Sequence, residues 1–200
     1  EFQVSEILKS VGYTDLQIKK TKDKFLIRKL NPKMALDLSS VAKGWGVDQI
    51  AELLEINDID NYMIEIGGEV RTKGSKNGDN WQIGVASPNT GGPTQKIVEL
   101  RSQSMATSGD YRNYFMKNGE RYAHVINPLS GQPLKQRLAS VSVIADDAMQ
   151  ADALATAILV MGDEKAETWV SENDIAAYFI YRLGEDEFEE VANEKFKSFL

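Results

Sequence analysis

The sequence contains no cysteine, which excludes disulfides, thiolate metal sites and cysteine nucleophiles. That absence leaves the compartment open, because exported proteins can also lack disulfides. The only histidine is His124, so neither a multi-histidine metal site nor a triad through another histidine can be built. No apolar run approaches the ~20 residues that a membrane-spanning helix needs. The three-glycine dinucleotide fingerprint, the P-loop and internal repeats are all missing. Basic residues form no sustained block. The densest group, Lys19, Lys20, Lys22 and Lys24, is interrupted or flanked by Asp15 and Asp23. With a formal net charge of -7, the chain repels a phosphate backbone at long range, and no nucleic-acid partner is expected. A single anion can still be held locally, by a helix N-terminus or a divalent ion.

What is present suffices for a folded core. The chain has 200 residues, 42% of them hydrophobic and 26% charged, values ordinary for a globular protein and unlike those of disordered chains. Residues 4–12 read as a short helix with Val4, Ile7, Leu8 and Val11 on one stripe and Gly12 as its stop. Residues 16–20 and 24–30 alternate as strands around a polar turn. A longer helix follows to Ile56, capped by Asp37, Ser39 or Ser40, with Val41, Trp45, Ile50, Leu53 and Leu54 as its apolar face. Strand patterns recur at 62–66, 69–73, 81–86, 97–100, 121–126, 140–145 and 176–181. Residues 87–95 read as a loop. Helices are expected over 148–161 and 165–171. Strand runs joined by short turns, with two long helices, predict an α+β fold: a mixed, largely antiparallel sheet packed with a few long helices.

Several segments could carry chemistry. DLSSVAKG (37–44) lies at a helix start, where free N–H groups favour an anion and Lys43 adds a point charge. A plain N-cap followed by a solvated lysine is the commoner origin of such a segment. In QADALAT (150–156), Asp152 and Thr156 stand four positions apart and share a face. Carboxylate plus hydroxyl makes a partial hard-oxygen site for Mg²⁺, and the alanines allow close approach of a backbone or ligand. The competing reading is a packed Ala-rich helix with one polar edge. In HVINPLSG (124–131), Asn-Pro and Ser-Gly mark a turn after a strand. His124 there is either a general base or a hydrogen-bonded structural residue. ATSGDY (106–111) reads as a tight polar turn whose small hydroxyls could meet a ligand. Gly67-Gly68 permits a sharp turn, a bulge or a close backbone approach.

Taken in order, five stretches resemble the FAD:protein FMN transferase family, also called the ApbE family and formerly labelled thiamine biosynthesis lipoproteins. They are DLSSVAKGWGVD (37–48), IEIGGEVRTKG (64–74), ATSGDYRNYF (106–115), HVINPLSG (124–131) and SVSVIADDAMQADALATAILVMG (140–162). The resemblance implies a single catalytic domain over residues 1–200 that binds FAD and Mg²⁺. It implies transfer of FMN to a threonine or serine of an acceptor flavoprotein, typically a membrane redox-complex subunit or another exported flavoprotein. By motif, Asp37, Lys43 and Ile126 would contact FAD. Asp152 and Thr156 would hold the metal, with backbone oxygens of Ser40 and Ala155. His124 is the candidate base.

The family usually has aspartate where this chain has Asn127, which leaves a turn role for that position. Family members also carry a further upstream segment that helps hold flavin and adenine, and residues 1–35 match them loosely. The chain is therefore expected to be the C-terminal two-thirds of such an enzyme. No signal peptide is seen, and the chain opens at Glu1-Phe2 rather than Met, as if an upstream piece had been removed. The family implies the extracytoplasmic side of the cell envelope, with a lipid anchor on the longer protein. An FAD pyrophosphatase releasing free FMN and AMP, a non-catalytic flavin-binding protein and a structural or interaction domain are the alternatives.

Overall fold

The computed structural model describes residues 2–86, 96–110, 114–117, 120–184 and 187–200. The chain begins with α1 (Phe2–Leu8), the hairpin β1 (Leu16–Lys20) and β2 (Phe25–Lys29), and α2 (Ala42–Ile56). Then come β3 (Tyr62–Ile66), β4 (Glu69–Lys73), β5 (Trp81–Val85), β6 (Lys96–Leu100), β7 (Ser104–Gly109), β8 (Tyr114–Lys117), β9 (Glu120–Ala123) and β10 (Leu138–Ala145). It ends with α3 (Ala148–Met161), α4 (Asp163–Glu172), β11 (Ala176–Arg182), β12 (Phe188–Ala192) and α5 (Glu194–Lys197). The expected α+β class is the one observed.

A six-stranded sheet in the order β12-β11-β10-β7-β4-β3 organises these elements, with every neighbouring pair antiparallel. Side chains alternate across a strand with a period of two, and both faces of this sheet are covered. On β10 and β11, Val141, Val143, Ala177 and Phe179 face a cluster built with Ala155, Ile158 and Leu159 of α3. Ile144, Tyr178 and Ile180 face the other way, against Val85, Val98, Leu100 and Phe196 from β5, β6 and α5. Burial on both sides explains why β10 is apolar or small along almost its whole length. A fully buried side chain such as Ile158 contributes roughly 1.5–3 kcal/mol relative to exposure.

The helix at 148–161 forms over the residues its pattern predicts. Its buried residues, Ala148, Ala151, Asp152, Ala155, Ile158 and Leu159, recur three and four positions apart. Asp147 caps it by accepting from the Gln150 N–H at 2.7 Å.

Three expectations need correction. The buried face of α2 is Gly44, Val47, Asp48 and Ala51, while Trp45 and Leu53 are 54% and 60% exposed. Close packing on α3 selects small residues at the contact, so Trp45, Ile50 and Leu53 turn outward, while Leu54 packs beside Val47 and Ala51 as expected. Nor is α2 capped by Asp37, Ser39 or Ser40: its N-cap position is Val41, with no side-chain capping bond, and Asp37 instead accepts from the Ser39 N–H two residues on, at 2.8 Å. Finally, residues 106–109 of the turn expected over 106–111 lie in strand β7, which pairs with β10 from Ser104 to Gly109. Small residues there let α3 lie close over the sheet. The loop expected at 87–95 lies outside the described residues.

Candidate functional site

The site grows from two helix starts laid side by side. Gly44 of α2 lies so close to α3 that a Cβ added to it would fall 2.3 Å from the carbonyl oxygen of Ala148. At this approach each helix serves the other's first turn. The Gly44 N–H donates to Oδ2 of Asp152 at 3.0 Å. In return Asp48 accepts from the N–H groups of Ala148 (3.0 Å) and Met149 (2.8 Å). Such terminal N–H groups have no partner within their own helix, and carboxylates stabilise that end of the helix dipole. Arg71 of β4 closes the arrangement, donating to Asp48 Oδ1 at 2.7 Å.

Lys43 precedes Gly44, and its stem runs past the β3–β4 turn. Gly67 and Gly68 have φ of 62° and 102°, the left-handed region that favours glycine in a two-residue hairpin. A Cβ on Gly67 would lie 3.3 Å from Lys43 Cδ. Beyond that turn the ammonium reaches Glu69 Oε1 at 2.6 Å. Glu69 is 1% exposed, and its second oxygen, Oε2, finds no hydrogen-bond partner among the described residues. Burial pushes the Glu69 carboxyl above its ordinary range; Lys43 opposes this and the Asp152 charge adds to it. Burial likewise raises Asp152, which is 3% exposed, against the lowering effects of the Gly44 N–H and the Lys43 charge.

One turn along α3 from Asp152, the Thr156 hydroxyl shares a hydrogen bond of 2.9 Å with Ser108 Oγ on β7. Ala155 is fully buried between them in sequence. Ser40 lies in the turn leading into α2. The N–H that would return to its carbonyl in a regular helix is that of Gly44, which is directed to Asp152 instead. Carboxylate, hydroxyl and carbonyl oxygens are the ligands a hard divalent ion takes, and the buried, unpartnered Glu69 oxygen adds negative charge beside them. The residues present fit such an ion.

The other predicted residues stand on other segments. Asp37 is exposed, its carboxyl held below the usual range by hydrogen bonds from Ser39, and it lines a cleft with Ile7, Tyr13 and Met34. His124 is exposed on the segment after β9, between Ala123 and Val125, which pack into the core. Ile126 forms a bridge with Pro133 and is half-exposed. Asn127 shapes the turn by accepting from the Leu129 N–H at 2.8 Å.

Sequence reasoning singled out Lys43 at a helix start and, separately, the Asp152/Thr156 face of a second helix, with Ser40 added by the resemblance; the structure brings Lys43, Asp152 and the α2 start together. It missed Glu69 and Asp48. Glu69 follows the glycine pair directly, so a charged residue immediately after a tight turn was the available signal. Asp48 carried none, because its partners are far along the chain: Arg71 is 23 positions away, and Ala148 and Met149 are 100 and 101.

Comparison with known proteins adds a family. The family model described as "ApbE family" matches residues 1–179. A Haemophilus influenzae protein named FAD:protein FMN transferase is 43% identical over 183 residues, covering 90% of this chain and 53% of its own length. A Vibrio cholerae protein of the same name is 44% identical over 171 residues, covering 84% and 51%. The chain spans about half the length of the curated relatives it matches. The solved "Flavin Transferase ApbE from Vibrio cholerae" superposes with a TM-score of 0.87 at 38% identity, covering 100% of this chain and 62% of that one. The apbe protein of Thermotoga maritima gives a TM-score of 0.84 at 32% identity, covering 99% and 63%.

Proposed function

Because this chain belongs to the ApbE family, we propose that it is the part of a Mg²⁺-dependent FAD:protein FMN transferase that carries the cation and pyrophosphate site. The observation that carries this reading is the convergence of Asp152, Lys43 and the α2 start at one point, with Asp152 held by the Gly44 N–H. A pyrophosphate needs positive charge around it, and the Lys43 ammonium with the positive end of the α2 dipole supplies it.

In the proposed reaction the hydroxyl oxygen of an acceptor threonine or serine bonds to the FMN phosphorus of FAD. The P–O bond to the AMP half breaks, and AMP leaves with that bridging oxygen. The acceptor proton passes to His124, whose exposed position suits contact with another protein. Lys43 stabilises charge that builds on the phosphoryl oxygens. A divalent ion would be held by Asp152 and Thr156 with the carbonyls of Ser40 and Ala155, and would neutralise pyrophosphate charge. Asp37 and Ile126 would border the bound dinucleotide. The acceptor in this reading is a flavoprotein, either a subunit of a membrane redox complex or an exported protein.

Mass spectrometry of an acceptor peptide after incubation with the protein, FAD and Mg²⁺ tests the proposal. The expected product is a covalent FMN adduct that disappears with Asp152→Ala. Free FMN and AMP with no adduct would identify a pyrophosphatase instead. FAD left intact by the wild type would rule out both.

A further inference from the structure

The hairpin turn in IEIGGEVR plays no part in the reaction as drawn above, yet it ends in a buried carboxylate oxygen that has no hydrogen-bond partner among the described residues. Glu69 is buried, one of its oxygens is bonded to Lys43, and the other has no protein partner among the described residues. A desolvated carboxylate oxygen without a donor is costly. Where one persists, it calls for a specific explanation such as an ion or a bound donor. The base that serves it is unlike the acid: the Lys43 side chain is 46% exposed and that of Glu69 2%. A buried acid is therefore paired with a base whose stem reaches solvent.

Asp152 lies within electrostatic reach of both. Its charge disfavours ionisation of Glu69, and the Lys43 charge favours ionisation of each. Lys43 is thus ion-paired with Glu69 and acts on Asp152 at longer range. Lys43 is held in that role by local structure. Gly67 gives its stem room, and the next residue, Gly44, donates to the second carboxylate.

We infer that Glu69 is a member of the divalent-cation site, receiving on Oε2 a hydrogen bond from the ion's bound water, and that Lys43 is the resident counter-ion which the divalent ion releases toward the ligand's phosphates. The inference rests on the cation reading given above. Mg²⁺ and Mn²⁺ keep part of their water shell, so a nearby carboxylate without a donor is a natural acceptor for it. A double positive charge arriving beside Asp152 takes over the neutralisation that Lys43 supplies, and repels it. Ordered use of one lysine follows: it neutralises the acids before the ion binds and meets the anion afterwards.

Titration of the protein with Mn²⁺ in the absence of FAD, read by the electron paramagnetic resonance of free Mn²⁺ and by calorimetry, tests this. Glu69→Gln is expected to raise the Kd about ten- to a hundredfold. Glu69→Asp, which keeps the charge but withdraws the oxygen, is expected to fall between it and wild type, and serves if the glutamine variant does not fold. Lys43→Met is expected to bind Mn²⁺ more tightly than wild type, because a competing positive charge is gone. That opposite sign is one that general loss of structure cannot produce. Unchanged Mn²⁺ affinity in both Glu69 variants would overturn the role of Glu69, and unchanged or weaker affinity in Lys43→Met would overturn the counter-ion role. Full Mn²⁺ binding by Asp152→Ala would instead remove the cation reading on which both depend.

Discussion

Asp48 of α2 caps α3 by accepting from Ala148 at 3.0 Å, while Asp152 of α3 accepts from Gly44 of α2 at the same distance. The two bonds run in opposite directions across one helix contact. Each helix supplies the acid that the other's start requires. The interface therefore holds two orphaned helix ends and one functional carboxylate with a single arrangement, and its stability and its chemistry are coupled.

The tightest point of that contact is Gly44. A methyl group there would meet the Ala148 carbonyl at 2.3 Å and the Met149 Cα at 2.7 Å, both backbone atoms that cannot turn aside. Gly44→Ala is expected to destabilise the protein by about 1–3 kcal/mol or more, although alanine is the better helix former. Urea unfolding measures it. Unchanged or increased stability would mean that the helices are not this close.

Removing the cap from the other side should also be costly. Asp48→Ala leaves two helix-start N–H groups and the Arg71 guanidinium without their acceptor. A loss of about 3 kcal/mol is expected. Arg71→Met in the same background should recover part of it, because without Asp48 the partly buried guanidinium keeps only the longer 3.7 Å pair with Glu55. A double-mutant cycle reports the coupling, and strict additivity would contradict the linkage drawn here.

Acid should relieve the site rather than weaken it. Burial holds the Glu69 and Asp152 carboxyls above their ordinary values. A group whose pKa is raised by folding contributes stability that is complete below its unfolded-state value, near 4. That contribution is lost as pH rises through the raised value. In the ion-free protein, stability from this pair should therefore decline from about pH 4 upward. Glu69→Gln should flatten that decline, and Mg²⁺ should restore stability at neutral pH but not at pH near 4. Thermal melts across this range decide it, and parallel profiles for variant and wild type would count against it.

His124 stands apart from the cation cluster in sequence and is exposed. As the base for the acceptor hydroxyl, it should affect the chemical step and leave nucleotide binding alone. His124→Ala is expected to lower the transfer rate about 10²- to 10⁴-fold, with FAD affinity nearly unchanged. Single-turnover transfer, paired with equilibrium binding, separates the two. A transfer rate equal to wild type would remove His124 from the mechanism.

By itself the sequence determined α3 and the pairing it displays. Alanines, Ile158 and Leu159 recur at helical spacing, and a four-residue interval puts Asp152 and Thr156 on one side of any helix built there. The strands at 62–66, 69–73 and 176–181 were legible for the same reason, since a local period needs no partner to be read. Only the tertiary structure decided which face α2 buries, that residues 104–109 form an internal strand, and that Glu69 is enclosed with one oxygen unpartnered. Bulk hydrophobicity misleads in α2 because a close helix contact is governed by size. Gly44 and Ala148 are selected by the space between two backbones 104 positions apart in the chain, and neither residue carries that distance in its own neighbourhood. The buried charges follow the same rule: an acid such as Glu69 or Asp48 has meaning only once folding brings Lys43, Arg71 and the α3 start to meet it.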